Sequence, residues 1–110
     1  MSVSCKHILV KHNGSRNPSN YKKEQITRSK SEAETKIREI IEELKSGGDF
    51  EAIAKEHSDC SSGAKGGDLG PFTRNKMQKA FEDASFNLEV NALSDIVDSD
   101  SGLHVIFRYA

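Results

Sequence analysis

Cys60 lies in the run His57-Ser58-Asp59-Cys60-Ser61-Ser62-Gly63-Ala64-Lys65-Gly66-Gly67-Asp68-Leu69-Gly70, a thiol among small polar residues ahead of a glycine-rich bend. Two histidines, His7 and His104, stand in apolar segments near the two ends of the chain. Imidazoles titrate near neutral pH, and a nearby thiol responds to them. A Cys-His hydrolase is one chemistry these groups could support. It needs an activated thiolate, an oxyanion hole and an orienting third group, for which Asp59 is a candidate. Zinc is a second, but Cys5, His7, Cys60 and His104 lack the close ligand pairs of ordinary structural zinc sites. A phosphate-cradling P-loop is excluded, because "GAKGGDLG" lacks the GxxxxGK[ST] pattern and does not join a strand to a long helix. Spacing alone leaves the role of Cys60 open.

The elements that must position these groups are legible from periodicity. Residues 5–12 alternate as a strand, with Ile8 and Val10 on one face and Cys5, His7, Leu9 and Lys11 on the other. Apolar residues on both faces predict a central strand. Residues 13–30 form a polar segment with Gly, Pro, Ser and Asn and no period, long enough in a small domain to suggest function or disorder. A helix follows, with Ser31 and Glu34 as a capping box, an apolar stripe of Ala33, Ile37, Ile40, Ile41 and Leu44, and Gly47-Gly48 as its stop. Asp49 is expected to N-cap a second, short helix that turns Phe50, Ile53 and Ala54 inward.

After the cysteine loop, residues 69–72 read as a short strand. Residues 75–86 read as a helix with Met77, Ala80, Phe81 and Ala84 on its apolar side. Residues 93–97 and 102–109 read as two strands joined by "DSDSG". In the last strand His104, Ile106 and Arg108 share a face, opposite Leu103, Val105 and Phe107. If the two terminal strands are neighbours, both imidazoles could lie on one face. Strands separated by a block of helices indicate an α+β fold with an antiparallel sheet.

Bulk properties bound the function. The chain of 110 residues reads as one domain, residues 1–110, which buries roughly two-thirds of its unfolded surface without disulfide or metal support. Two distant cysteines fit neither a secreted disulfide scaffold nor CxxC redox chemistry. No apolar run is long enough for a membrane span, and no signal-peptide core follows Met1. A reducing intracellular compartment, cytoplasmic or nuclear, is expected. The net charge of −1 hides an asymmetry: residues 1–30 carry seven bases against Glu24 alone, so an anionic partner should meet this end. Nucleic acid fits poorly, because Tyr21 is the segment's single aromatic and no reading helix or RNA-binding signature is present. A small, localised anion such as a phosphate group fits better. No membrane contact is expected, and a monomer is the default.

Taken in order, "HILVKH", "SR" in the basic segment, "HSDCSSGAKGGDLGPF", "MQKAFEDASF" and "DSGLHVI" resemble the parvulin family of peptidyl-prolyl cis/trans isomerases. The resemblance covers essentially the whole chain, and it is strongest to the branch directed at phosphorylated Ser/Thr-Pro bonds. It implies the parvulin (FKBP-like) fold, a four-stranded antiparallel sheet surrounded by about four helices. It also implies an isomerase without cofactor or metal, acting on phosphorylated proteins in signalling or the cell cycle. Typical animal members carry an N-terminal WW module; with the first strand starting so close to Met1, a stand-alone catalytic domain is expected here.

Site residues follow from the resemblance position by position. His7 and His104 match the paired histidines at the floor of the active site, Cys60 the active-site cysteine, and Ser101 the hydroxyl near the isomerised bond. Ser99 stands where relatives usually have a threonine bonded to the histidine pair. Leu69, Met77 and Phe81 match the proline-ring pocket, and Gln78 the polar contact to substrate backbone. Lys11 and Arg16 match the phosphate clamp, where both are expected to reach one anionic group. Lys22, Lys23, Arg28 and Lys30 are expected to form a solvated face that adds steering. Relatives usually have two consecutive arginines in the clamp, whereas Asn17 follows Arg16 here. Losing that charge-assisted contact could cost about 1–2 kcal/mol of phosphate binding. A phosphate-indifferent parvulin and a phosphopeptide-binding module with weak catalysis are the alternatives. A non-covalent twisted-amide mechanism, with Cys60 as a polarisable wall, is preferred to nucleophilic attack by its thiol.

Overall fold

The alternation in the first segment produces a strand, β1, over Ser2–Val10 in the computed structural model, which describes residues 2–20 and 22–110. Tyr21 lies outside the described residues. Helix α1 spans Lys30–Lys45, α2 spans Phe50–His57, and a short 3-10 turn covers Ser61–Lys65. Strand β2 (Asp68–Thr73), helix α3 (Lys79–Asn87), strand β3 (Val97–Ser99) and strand β4 (Gly102–Arg108) complete the chain. The sheet runs β2-β1-β4-β3 with every pairing antiparallel, so the expected α+β architecture holds and β1 is central. Among the described residues three helices are α-helical, and the fourth helical piece is the 3-10 turn.

The two faces of the sheet do different work. Ile8, Val10, Leu103 and Val105 point to one side, where Ile37, Ile40 and Ile41 of α1 and Ile53 of α2 cover them. Burying each such side chain is worth about 1.5–3 kcal/mol, which makes this layer the main source of stability. The other face carries Val3, Cys5 and Ile106 against Phe72 and Phe81. By strand parity His7 and His104 belong to this second, thinner layer.

Several boundaries differ from expectation for identifiable reasons. The capping box on α1 is Ser29 with Glu32, two residues earlier than expected, because the Asn13 amide bonds the Arg28 carbonyl and pins the chain just before it. Asp49 occupies the N-cap of α2 but makes no side-chain cap bond. β1 ends at Val10, since the Lys11 amide donates to the Asp59 carboxylate and the His12 amide to Ser15 Oγ. Helix α3 begins at Lys79 and not at Asn75, whose left-handed φ of 70° breaks the helix and whose amide is held by the Glu82 side chain. Glu82 and Ser85 are consequently buried on α3, while Ala80 is exposed. The third strand starts only at Val97, because Ser94 Oγ takes the Ile106 amide in place of a ladder bond.

Candidate active site

Register places the two histidines. His7 pairs with Ile106 and Leu9 with His104, so the imidazoles are diagonal neighbours on one face of the central strands. Their Nδ1 atoms lie 3.1 Å apart, and the rings are near-parallel at 23° with centroids 5.3 Å apart. The Phe81 ring meets both edge-on, at 5.3 and 5.0 Å between centroids. The histidines are only 4% and 5% exposed. Burial pushes the pKa of His7 down to about 4, and burial reinforced by the charge His7 would carry pushes His104 down to about 3. Both rings are therefore neutral at pH 7.

Neutral rings sharing one Nδ1···Nδ1 contact must carry opposite tautomers, because one donates and the other accepts. Each outer nitrogen meets a hydroxyl: His7 Nε2 lies 3.0 Å from Ser62 Oγ, and His104 Nε2 lies 2.7 Å from Ser99 Oγ. Ser62 Oγ in turn contacts Cys60 Sγ at 3.2 Å. On the other side the Ser101 amide donates to Ser99 Oγ, and Gln78 Nε2 donates to Ser101 Oγ at 2.8 Å. The result is one relay from Cys60 through Ser62, His7 and His104 to Ser99, whose hydroxyl oxygen the Ser101 amide holds from the far side. It has two polarities. With the shared proton on His7, Ser62 donates to His7 and His104 donates to Ser99. With that proton on His104, His7 Nε2–H donates to Ser62, whose own proton is then directed at sulfur.

The cysteine loop is held against β1 by backbone. The His7 amide donates to the Gly67 carbonyl at 2.9 Å and the Asp59 amide to the Leu9 carbonyl at 2.8 Å. Gly67 has φ +83°, and a Cβ there would fall 2.3 Å from the His7 carbonyl oxygen, so only glycine permits this approach. A cavity of about 200 Å³ opens in front of the relay. Leu9, Leu69, Met77 and Phe81 form its apolar side, and His7, Cys60, Gln78, Ser101 and His104 its polar side. Ser99 stands behind His104.

Lys11 and Arg16 are not brought to one cavity. Lys11 Nζ is tied to the carbonyls of Asn17 (3.0 Å) and Ser19 (2.6 Å), in a hollow shared with Cys60 and Ser101. Arg16 is exposed and lines a different hollow with His12, Lys30, Asp98, Ser99 and Asp100. The two cations thus flank the turn at residues 99–101 from opposite sides. Arg28 is not part of a solvated face: it is half-buried, and its guanidinium donates to Asp59 Oδ2 at 2.8 Å and to the Lys11 carbonyl. Asp59 is occupied there and with the Lys11 amide; it orients neither Cys60 nor a histidine. Ser62, which no periodicity singles out, is the relay member that sequence reasoning missed. Its position two residues after Cys60 on a tight turn was the available signal.

A family model described as "PPIC-type PPIASE domain" matches residues 1–107. The chain is 51% identical to the Saccharomyces cerevisiae peptidyl-prolyl cis-trans isomerase ESS1 over 96% of its own length and 64% of that protein's. It is 45% identical to the Arabidopsis thaliana peptidyl-prolyl cis-trans isomerase Pin1, over 98% of its length and 95% of that protein's. Among solved structures, the Candida albicans peptidyl-prolyl isomerase ESS1 superposes with a TM-score of 0.95 at 38% identity, covering 99% of this chain and 63% of that one. The solution structure of TbPIN1 gives 0.89 at 40% identity, covering 99% and 97%. The chain spans 59–66% of the length of four of its curated relatives.

Proposed function

The chain belongs to the PPIC-type peptidyl-prolyl isomerase family, the parvulins, and on that footing we propose that it isomerises peptidyl-prolyl bonds preceded by phosphorylated serine or threonine, without covalent chemistry. The barrier to be lowered is roughly 18–20 kcal/mol of lost amide resonance as the C–N bond twists. A catalyst must hold the proline ring, let the carbonyl swing and favour the twisted form over both planar ones. The cup of Leu69, Met77 and Phe81 is apolar and several times the ~30 Å³ of one water, room enough for a pyrrolidine ring. Gln78 spends one N–H on Ser101, which leaves its second N–H and its carbonyl for the substrate backbone beside the twisting nitrogen.

The observation that carries this reading is the neutral relay along the wall facing the cup. It is a row of preorganised dipoles whose polarity reverses by shifting protons within hydrogen bonds, so it can follow the carbonyl through its rotation without acquiring charge. A covalent route would want Cys60 paired directly with a base. Ser62 stands between Cys60 and His7, and this favours the non-covalent route.

Arg16 and Lys11, either side of the 99–101 turn, would receive the phosphate that precedes proline. Arg16 offers bidentate contact and Lys11 a point charge once it leaves its carbonyl partners. One observation favours a phosphate-indifferent parvulin as the second reading: Lys11 Nζ is internally satisfied, and Asp98 and Asp100 share the hollow of Arg16. Exchange spectroscopy on matched phosphoserine-proline, glutamate-proline and alanine-proline peptides separates the two. Strong acceleration confined to the phosphorylated peptide, abolished by Arg16→Gln, supports phosphate reading. Equal acceleration of all three would establish the second reading, and binding without acceleration would leave a phosphopeptide module.

A further inference from the structure

Beyond Asp59 from the hollow of Lys11, a half-open cavity of about 170 Å³ lies between the basic segment, α1 and α2. Among the described residues, every one that lines it is polar or charged. Lysines reach it from three elements: Lys22 from the segment, Lys36 from α1, and Lys55 from the last turn of α2, where the His57 ring also lines it. Among the described residues neither Lys36 nor Lys55 makes an ion pair or a side-chain hydrogen bond.

Three carboxylates also line this cavity. Asp59 is held by Arg28 and the Lys11 amide, Glu24 Oε1 accepts from Asn20, and Glu56 is 73% exposed and 3.8 Å from the His57 ring. Ser58 Oγ on the wall accepts the Leu9 and Cys60 amides, and its own proton has no acceptor among the described residues. The half-buried Lys36 is further destabilised as a cation: burial first, then the field of Arg28, lowers its pKa, with Asp59 opposing. Two ammonium groups and a hydroxyl without acceptors, around a space larger than a few waters, form a donor set for a tetrahedral oxyanion.

We propose that this cavity is a second oxyanion site, which takes a phosphate group independently of Lys11 and Arg16. Asn20 and Asp59 line both this cavity and the hollow of Lys11, which itself shares Leu9, Cys60 and Ser101 with the candidate active site. That adjacency suits a second phosphorylated side chain on the peptide seated in the cleft, an assignment that rests on the isomerase reading. A free phosphorylated small molecule offers the same chemistry.

The test is a titration of the whole chain with inorganic phosphate at constant ionic strength, chloride as control, followed by amide NMR at residues 36 and 55–58. Saturable shifts are expected in wild type and in Arg16→Gln. In Lys36→Gln/Lys55→Gln affinity should fall about tenfold or more, with Lys36→Arg/Lys55→Arg restoring it. Absent or non-saturating shifts, or shifts indifferent to the double glutamine substitution, overturn the proposal. This arm uses no turnover, so its result stands apart from the isomerase reading. A peptide arm then identifies the source. About tenfold tighter binding of a doubly than of a singly phosphorylated peptide, lost in Lys36→Gln/Lys55→Gln, assigns the site to the substrate. Saturable inorganic phosphate without that gain assigns it to small phosphorylated molecules.

Discussion

His7 and His104, 97 residues apart in sequence, face each other Nδ1 to Nδ1 at 3.1 Å across the two central strands, and burial keeps both uncharged. Their folded pKa values lie below the ordinary 6.5, so between pH 6.5 and about 4 the unfolded chain binds protons that the native state refuses. Stability contributed by the pair is complete above pH 6.5 and is lost as pH falls through this window. Thermal unfolding between pH 7 and about 5.5, above the range where carboxylates such as Glu32 and Asp68 begin to titrate, should show Tm falling with acidification. A His7→Asn/His104→Asn variant should show a much flatter slope, and an unchanged slope would refute burial as the cause.

Removing the hydroxyl that joins thiol to imidazole should interrupt the relay while leaving the apolar cup intact. Ser62→Ala is expected to reduce the isomerisation rate about fivefold, the value of one hydrogen bond of about 1 kcal/mol. Exchange spectroscopy with a saturating prolyl peptide measures it, and a rate equal to wild type would show that Cys60 and Ser62 are not coupled to turnover.

The cup separates catalytic from structural loss. Leu69 and Met77 are half-buried, so Met77→Ala should lower kcat/KM about tenfold, as burial of its side chain by a proline ring is forfeited, at small cost in stability. Phe81 is 5% exposed and packs on both histidines, so Phe81→Ala should cost about 3–5 kcal/mol of stability as well. Denaturant unfolding beside kinetics reads the two variants apart.

Arg28 and Asp59 form a half-buried pair, 24% and 7% exposed at the side chain, between the basic segment and the cysteine loop. Arg28→Gln leaves a buried carboxylate without its counter-charge and should destabilise by about 2–3 kcal/mol, toward the low side of breaking a buried pair. The double variant Arg28→Gln/Asp59→Asn should recover much of that loss in urea unfolding, because no unpaired charge remains. Failure to recover would show that the loss is not one of unpaired charge.

What was legible in the sequence divides along range of interaction. Period-2 alternation exposed β1 and β4 and put His7 and His104 on the site face, because a strand's faces are fixed locally. The stripe Ala33, Ile37, Ile40, Ile41 likewise fixed α1. The start of α3 was not legible: Met77 and Phe81 have helical spacing, yet both line the cavity with Met77 outside the helix, because a left-handed Asn75 held by Glu82 delays the helix. Ser62 and Arg28 were hidden for a similar reason. Their roles come from partners 55 and 31 residues away, His7 and Asp59, which only the pairing of the cysteine loop with β1 brings near.

The split of the relay between the first strand and the last has a consequence for biosynthesis. While a ribosome is still adding β4, His7 is already made but has no ring to meet. A chain that stops short of residue 102 carries half a wall and no working cleft. Function then reports completion of the sheet's centre, and two fragments cut in the 91–96 connection would each be silent until the central strands found one another. The same geometry that hides the imidazoles from water makes the site a complementation reporter for the whole molecule.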